Sequence, residues 1–275
     1  MGFVIGIVYT SCGLAQDGYI SGVPKLAYWT VGSGPEVIIV LHGGPAAGHQ
    51  YLRPELDQLS AVSQVIYFDQ RGCGKSEKAT CYGWREQVAD VKRVVNRFSN
   101  SKKVSLAGSS WGYILALLYA YTYPDDVKTL ILSGTYEWPG KGMPTKNCSA
   151  YILKDIADTI NAYDTFPAKH SHEYSLKKAE RILEHHLFVK MNIYNSLNDA
   201  PAIRELRKLK VPILMFKGID CKPARPPKMR DHASKFEGLL PNLEIYRVAG
   251  ACHDPWYTHT DVFFKKCIDY IRRHQ

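Results

Sequence analysis

The stretch "KVSLAGSSWGYILALLYAY", Lys103 to Tyr121, decides the fold. It runs from a short apolar segment rich in branched residues, through a glycine-flanked pair of serines, into a long segment that is apolar all round. The first part reads as a strand buried on both faces, Lys103 to Ala107, and the last as a buried helix from Gly112. "Gly108-Ser109-Ser110-Trp111-Gly112" fits G-x-S-x-G at the strand-to-helix turn where that pattern exposes a nucleophile. The central position is Ser110. Its neighbour Ser109 points the other way.

Further runs of the same kind lie on either side of this unit: "EVIIVL" (36–41), "QVIYF" (64–68), "VKTLILS" (127–133), "VPILMF" (211–216) and "LEIYRV" (243–248). Upstream, "YISGVPKLAYWTVGSG" (19–34) reads as one or two antiparallel strands closed by a Gly-Ser-Gly turn. Helical patterns alternate with the strands: "RPELDQLS" from Arg53, "WREQVADVKRVVNRF" from Trp84 and "DVFFKKCIDYI" from Asp261. In the helix from Trp84, Val88, Val91, Val95 and Phe98 share one face, with the charges opposite. Alternating strand and helix predicts an α/β fold with a mostly parallel sheet covered by helices on both sides. Residues 17–134 and 208–275 form the core in this reading. The segment 135–207 interrupts the rhythm with helical patterns only, and predicts a small helical cap over the carboxyl ends of the strands, where open α/β sheets bind ligands.

A serine hydroxyl needs a base to take its proton, and the base needs an acid to hold its tautomer. At a turn of this type the chain order is Ser, then Asp or Glu, then His. "KGIDCKP" places Asp220 just beyond the strand ending at Phe216, and "AGACHDPW" places His253 just beyond the strand ending at Val248. Asp254 and Glu137 are the rival acids. The oxyanion of acyl transfer calls for backbone N–H groups. Trp111 supplies one, and the loop "LHGGPAAG" supplies the other through Gly44, because Pro45 has no N–H.

"VLHGGP", "FDQRGCGKS", "AGSSWG", "GID" and "GACHDPW" together resemble the α/β-hydrolase superfamily, and within it the proline iminopeptidases and their relatives. The resemblance covers nearly all of the chain outside the cap. It implies an eight-stranded, mostly parallel sheet with a helical cap. The implied triad is Ser110, Asp220 and His253, the oxyanion hole Gly44 and Trp111, and no cofactor is implied. Two positions depart from the peptidase pattern: Ala46 replaces a glycine after "HGGP", and Cys221 follows Asp220 where a carboxylate binds the substrate amine. Asp155, Asp158, Asp164 and Glu173 are the cap acids able to take that role.

The expected activity is a serine hydrolase that cleaves a carboxylic ester or short amide through an acyl-enzyme on Ser110. A proline iminopeptidase releasing N-terminal proline is the alternative, and a non-catalytic ligand binder the remote one. The pair "HSH" (170–172) with His185 and His186 raises a metallohydrolase reading, but no acidic ligand pattern accompanies it.

Composition narrows the partners. The formal net charge of +9 has only "RELRKLK" (204–210) as a local cluster, without the interleaved aromatic residues or module that nucleic-acid binding requires. No apolar run is long enough to span a bilayer. The partner expected is a small ester or short peptide substrate. Residues 1–16 read either as a leader, with Gly13-Leu14-Ala15 as a small-residue cleavage site, or as a first strand. The compartment is therefore cytoplasmic, or exported if a leader is removed. Seven cysteines show no zinc-type spacing. Cys221 and Cys252 each adjoin a member of the expected triad, and are either free thiols or a disulfide joining the acid and histidine loops.

Overall fold

A computed structural model of the chain describes residues 16–44, 47–134, 138, 176–219 and 233–275. Eight strands form one sheet: β1 (Gly18–Ile20), β2 (Leu26–Val31), β3 (Val37–Leu41), β4 (Gln64–Phe68), β5 (Val104–Ser109), β6 (Val127–Ser133), β7 (Ile213–Ile219) and β8 (Leu243–Ala249). Their spatial order is β1-β2-β4-β3-β5-β6-β7-β8. β2 runs antiparallel to both β1 and β4, and every other pairing is parallel. The expected eight-stranded, mostly parallel sheet is present.

The central strands read as continuous apolar runs because both faces are covered, and period-two alternation deals their side chains to two cores. Ile39, Leu41, Leu106, Leu130, Leu132, Ile213 and Met215 pack on one side, with helices α1 (Trp84–Phe98) and α2 (Trp111–Thr122). Ile38, Val40, Ala107, Ile131, Leu214 and Phe216 pack on the other, with Trp256 and with Phe263, Phe264 and Ile271 of the C-terminal helix. Each such side chain fully removed from water contributes about 1.5–3 kcal/mol before conformational entropy is counted.

α2 is apolar all round because it is enclosed: its residues from Trp111 to Ala120 are all buried. α1 buries Val88, Val91 and Val95, as its periodicity predicts, and Val94 as well, while Phe98 of the expected face is partly buried, edge-on against Tyr28. Contrary to expectation, the charges do not all lie opposite. Asp90 turns inward and meets Arg71 through two hydrogen bonds of 2.7 and 2.9 Å.

The helix expected from Arg53 is instead two 3-10 segments, His49–Leu52 and Glu55–Ala61. Leu52, Leu56 and Leu59 still reach the core and Arg53 pairs with Asp57.

Within the expected cap, helix α3 (Leu176–Ser196) and the 3-10 turns at Leu197–Asp199 and Ile203–Lys208 are described, as is Trp138. The remaining residues between 135 and 175, and residues 1–15, read above as a leader or a first strand, lie outside the described residues. Hydrogen bonds help to fasten α3 to the core. His185 Nε2 lies 2.9 Å from the carbonyl of Gly72. At its far end, the backbone N–H of Trp84 donates to Ser196 Oγ and the Trp84 indole N–H to Asp199, each at 2.8 Å. The chain closes with a short helix, α4 (Pro255–Thr258), and α5 (Thr260–Arg273). Among the described residues no helix is long and apolar enough to cross a membrane.

Candidate active site

β5 ends at Ser109, α2 begins at Trp111, and Ser110 alone makes the turn, with φ +56° and ψ −118°. A side chain in this left-handed region is strained, and such strain concentrates at functional sites. The flanking glycines permit the turn. A Cβ at Gly112 would fall 1.9 Å from the carbonyl oxygen of Leu41, and one at Gly108 would fall 2.4 Å from that of Gly112. The two serines differ accordingly. Ser110 is only partly covered. Ser109 is buried, its Oγ has no hydrogen-bond partner among the described residues, and it borders a small cavity shared with Leu52, Leu56, Ile131, Trp256 and Phe263.

His253 lies in the loop between β8 and α4, and Gly134 at the end of β6 brings it to Ser110. A Cβ on Gly134 would sit 3.1 Å from His253 Nε2 and 3.1 Å from the Ser110 backbone nitrogen. Gly134 has φ +60°. Five of the six other described histidines bond elsewhere, His42 at Gly43 and Gln70, His49 at Asp69, His185 at Gly72, His259 at Thr258 and His274 at Tyr270, and the sixth, His186, lies on α3.

Asp220, Cys221, the rival acid Glu137, the cap acids Asp155, Asp158, Asp164 and Glu173, and the pair His170 and His172 lie outside the described residues. The strand leading to Asp220 does border the histidine loop: Gly250 N–H donates to the Ile219 carbonyl at 2.9 Å, and a Cβ at Gly218 would fall 2.3 Å from the carbonyl oxygens of Ala251 and Cys252. Asp254, the other rival, stands at the N-terminus of α4, where its carbonyl accepts from Tyr257 and Thr258. Cys252 is disulfide-bonded, while Cys73, Cys81 and Cys267 are not in a disulfide, so its partner lies outside the described residues. Among the described residues no group of three or more His, Cys, Asp or Glu side chains could hold a metal ion.

The loop expected to supply the second oxyanion donor lies against the elbow. The position of a Cβ on Gly43 is 2.8 Å from Ser110 Cβ, and 2.8 Å from the Tyr51 hydroxyl oxygen. The Gly43 N–H donates to that hydroxyl at 2.6 Å and is thereby occupied. Gly44, the next residue, is exposed at φ +51°.

Behind this loop, "DQRG" holds the floor of the site, a role its sequence does not reveal. Asp69 accepts from the backbone N–H of His49 (2.9 Å) and of Lys75 (2.8 Å), and lies 2.9 Å from His49 Nδ1. Burial pushes its carboxyl up, but the His49 bond, the nearby imidazoles and the Lys75 N–H hold it below the usual range. Arg71 anchors the segment to α1 through Asp90 and the carbonyls of Cys81 and Glu86. His42 is wholly buried, and burial lowers its pKa against the opposing charge of Asp69. Its Nε2 accepts from the Gln70 backbone N–H at 3.0 Å, so its proton sits on Nδ1, 3.0 Å from the Gly43 carbonyl.

The decisive observation is the combination of strand order, elbow and carboxyl-end loops in one sheet. The chain is an α/β hydrolase. A family model described as the alpha/beta hydrolase fold matches residues 36–172. The proline iminopeptidase of Lactobacillus acidophilus is 28% identical over 231 residues, covering 71% of this chain and 78% of the relative. That of Lactobacillus delbrueckii subsp. bulgaricus is 29% identical over 274 residues, covering 85% and 89%. Among solved structures, a thermophilic esterase from Thermogutta terrifontis superposes with a TM-score of 0.71 at 20% identity, over 92% of this chain and 95% of the esterase. This hydrolase thus shares its fold with esterases and its sequence with named iminopeptidases.

Proposed function

We propose that this hydrolase cleaves a carboxylic ester or short amide through an acyl-enzyme on Ser110. The observation that carries the reading is the left-handed Ser110 with His253 directly across Gly134. His253 Nε2 takes the hydroxyl proton as Oγ bonds to the substrate carbonyl carbon. The carbonyl oxygen becomes an alkoxide, met by the N–H groups of Gly44 and Trp111. Collapse breaks the bond to the leaving group, which takes the proton from His253. Water then attacks the acyl-enzyme, again giving its proton to His253. The acid is released and Oγ regains its hydrogen. Asp220 is the acid assigned to fix the tautomer of His253, and the insertion 135–207 is the cap assigned to cover the acyl group. No step requires a cofactor.

The proline iminopeptidase reading uses the same machinery and is favoured by the identity of 28–29% to two enzymes of that name. Cys221 after Asp220 and Ala46 after "HGGP" speak for the broader ester reading. The two separate on substrates: turnover of p-nitrophenyl acetate and butyrate is expected to exceed that of prolyl-β-naphthylamide, and the reverse order establishes the peptidase. Undiminished turnover of all three in Ser110→Ala would falsify both readings.

A further inference from the structure

We propose that Gln70 is a positioning residue that holds the two halves of the oxyanion hole, the loop carrying Gly44 and the elbow carrying Trp111, at a fixed separation. The inference rests on the serine-hydrolase reading above and adds to it a residue that does not touch substrate. Gln70 is 1% exposed, and both ends of its amide are engaged. Its Nε2 donates to the His42 carbonyl at 2.8 Å, and its Oε1 accepts from the Trp111 indole N–H at 2.8 Å. Its backbone N–H donates to His42 Nε2 as well. Gln70 therefore grips His42 twice and Trp111 once.

The partners dictate the orientation of the amide, since a flipped group would set N–H against N–H at the indole and oxygen against oxygen at His42. His42 is two residues before Gly44, and Trp111 is itself the other donor residue. One buried planar group thus spans both sources of backbone N–H. A leucine of similar size would fill the space, yet leave the His42 carbonyl and the Trp111 indole N–H buried without partners. Donors of this kind accelerate only when fixed in advance where the oxyanion forms. Loosening their spacing weakens binding of the transition state and leaves ground-state binding nearly as it was.

The test uses the full chain with Gln70→Leu, Trp111→Phe, their combination, and Ser110→Ala as control. Readouts are kcat and KM on p-nitrophenyl butyrate, inhibition by n-butylboronic acid as a tetrahedral adduct, and thermal midpoint. Gln70→Leu is expected to lower kcat roughly 10- to 100-fold with KM within about twofold, and to weaken boronate inhibition by a similar factor. Trp111→Phe, which keeps its backbone N–H, is expected to give a smaller loss in kcat. The combination is expected to match Gln70→Leu, because both changes cut the same link. Unchanged kcat in Gln70→Leu with an inactive Ser110→Ala overturns the Gln70 role alone. Full turnover in Ser110→Ala overturns the serine-hydrolase reading and Gln70 with it. If Gln70→Leu does not fold, Trp111→Phe decides: lowered kcat and weaker boronate inhibition support the bridge, and wild-type values overturn it.

Discussion

The imidazole of His253 rests against the α-carbon of Gly134, so closely that a methyl group there would sit 3.1 Å from Nε2 and equally near the Ser110 backbone nitrogen. Gly134→Ala is expected to push the imidazole off its line to Ser110 and to add strain at φ +60°. A full ångström of displacement costs on the order of 100-fold, and the few tenths needed here are expected to lower kcat/KM by about 10-fold while the far-ultraviolet circular dichroism holds. Wild-type kinetics for this variant would contradict the proposed role of His253.

The paired serines make a contrast experiment. Ser109→Ala removes a buried hydroxyl without a hydrogen-bond partner among the described residues. Its kcat is expected to stay within about threefold of the parent and its stability to hold or rise by up to about 1 kcal/mol. Ser110→Ala is expected to abolish turnover. Inactivity of Ser109→Ala, measured on the same ester, would show the assignment of the two to be reversed or shared.

Arg71 is 7% exposed and Asp90 is 1% exposed, joined by paired hydrogen bonds. Asp90→Ala strands a buried guanidinium and is expected to cost about 3–5 kcal/mol in urea denaturation. A loss below about 1 kcal/mol would mean that solvent reaches the pair.

Acidification is expected to destabilise the fold in two stages. Burial lowers the pKa of His42 in the folded chain, so below its ordinary value of about 6.5 the unfolded chain binds the proton more readily. Stability is thus present above pH 6.5 and is lost as pH falls toward the folded value. Asp69 follows with the same sign: its folded pKa is also depressed, so its contribution is lost below about pH 4. Thermal midpoints between pH 8 and 3 measure this. A midpoint that rises from pH 7.5 to pH 5 would contradict it.

Cys252 adjoins His253, and its disulfide ties down the histidine loop. Peptide mapping without reductant is expected to recover Cys252 joined to Cys221. Dithiothreitol is expected to lower stability by about 2–4 kcal/mol, typical for a native disulfide. Recovery with Cys12 or Cys148 instead would separate the disulfide from the acid loop.

The sheet was legible because strands covered on both faces are written as unbroken apolar runs, and "GSSWG" because the elbow needs glycines at fixed places. The 3-10 form of residues 49–61 was not, since Leu52, Leu56 and Leu59 carry α-helical spacing, and they reach one core because the chain breaks into two segments around Pro54. Gly134 and Gln70 were missed for a different reason. Neither carries titratable chemistry, and their importance lies in what they adjoin. Asp90 shows the same limit, as a charge on the buried face of α1 is met by Arg71, whose pairing no periodicity reveals, as well as by Arg93 three residues on.

Ser196 caps a helix more than a hundred residues away, since its Oγ accepts from the backbone N–H of Trp84 at the start of α1. A core helix thus borrows its terminus from the insertion, and Asp199 reinforces the loan at the indole. For anyone grafting a different insertion onto this scaffold, the seam belongs before Ser196. A cut placed after Asp199 would remove the cap together with the insertion, and α1 would fray from its first turn.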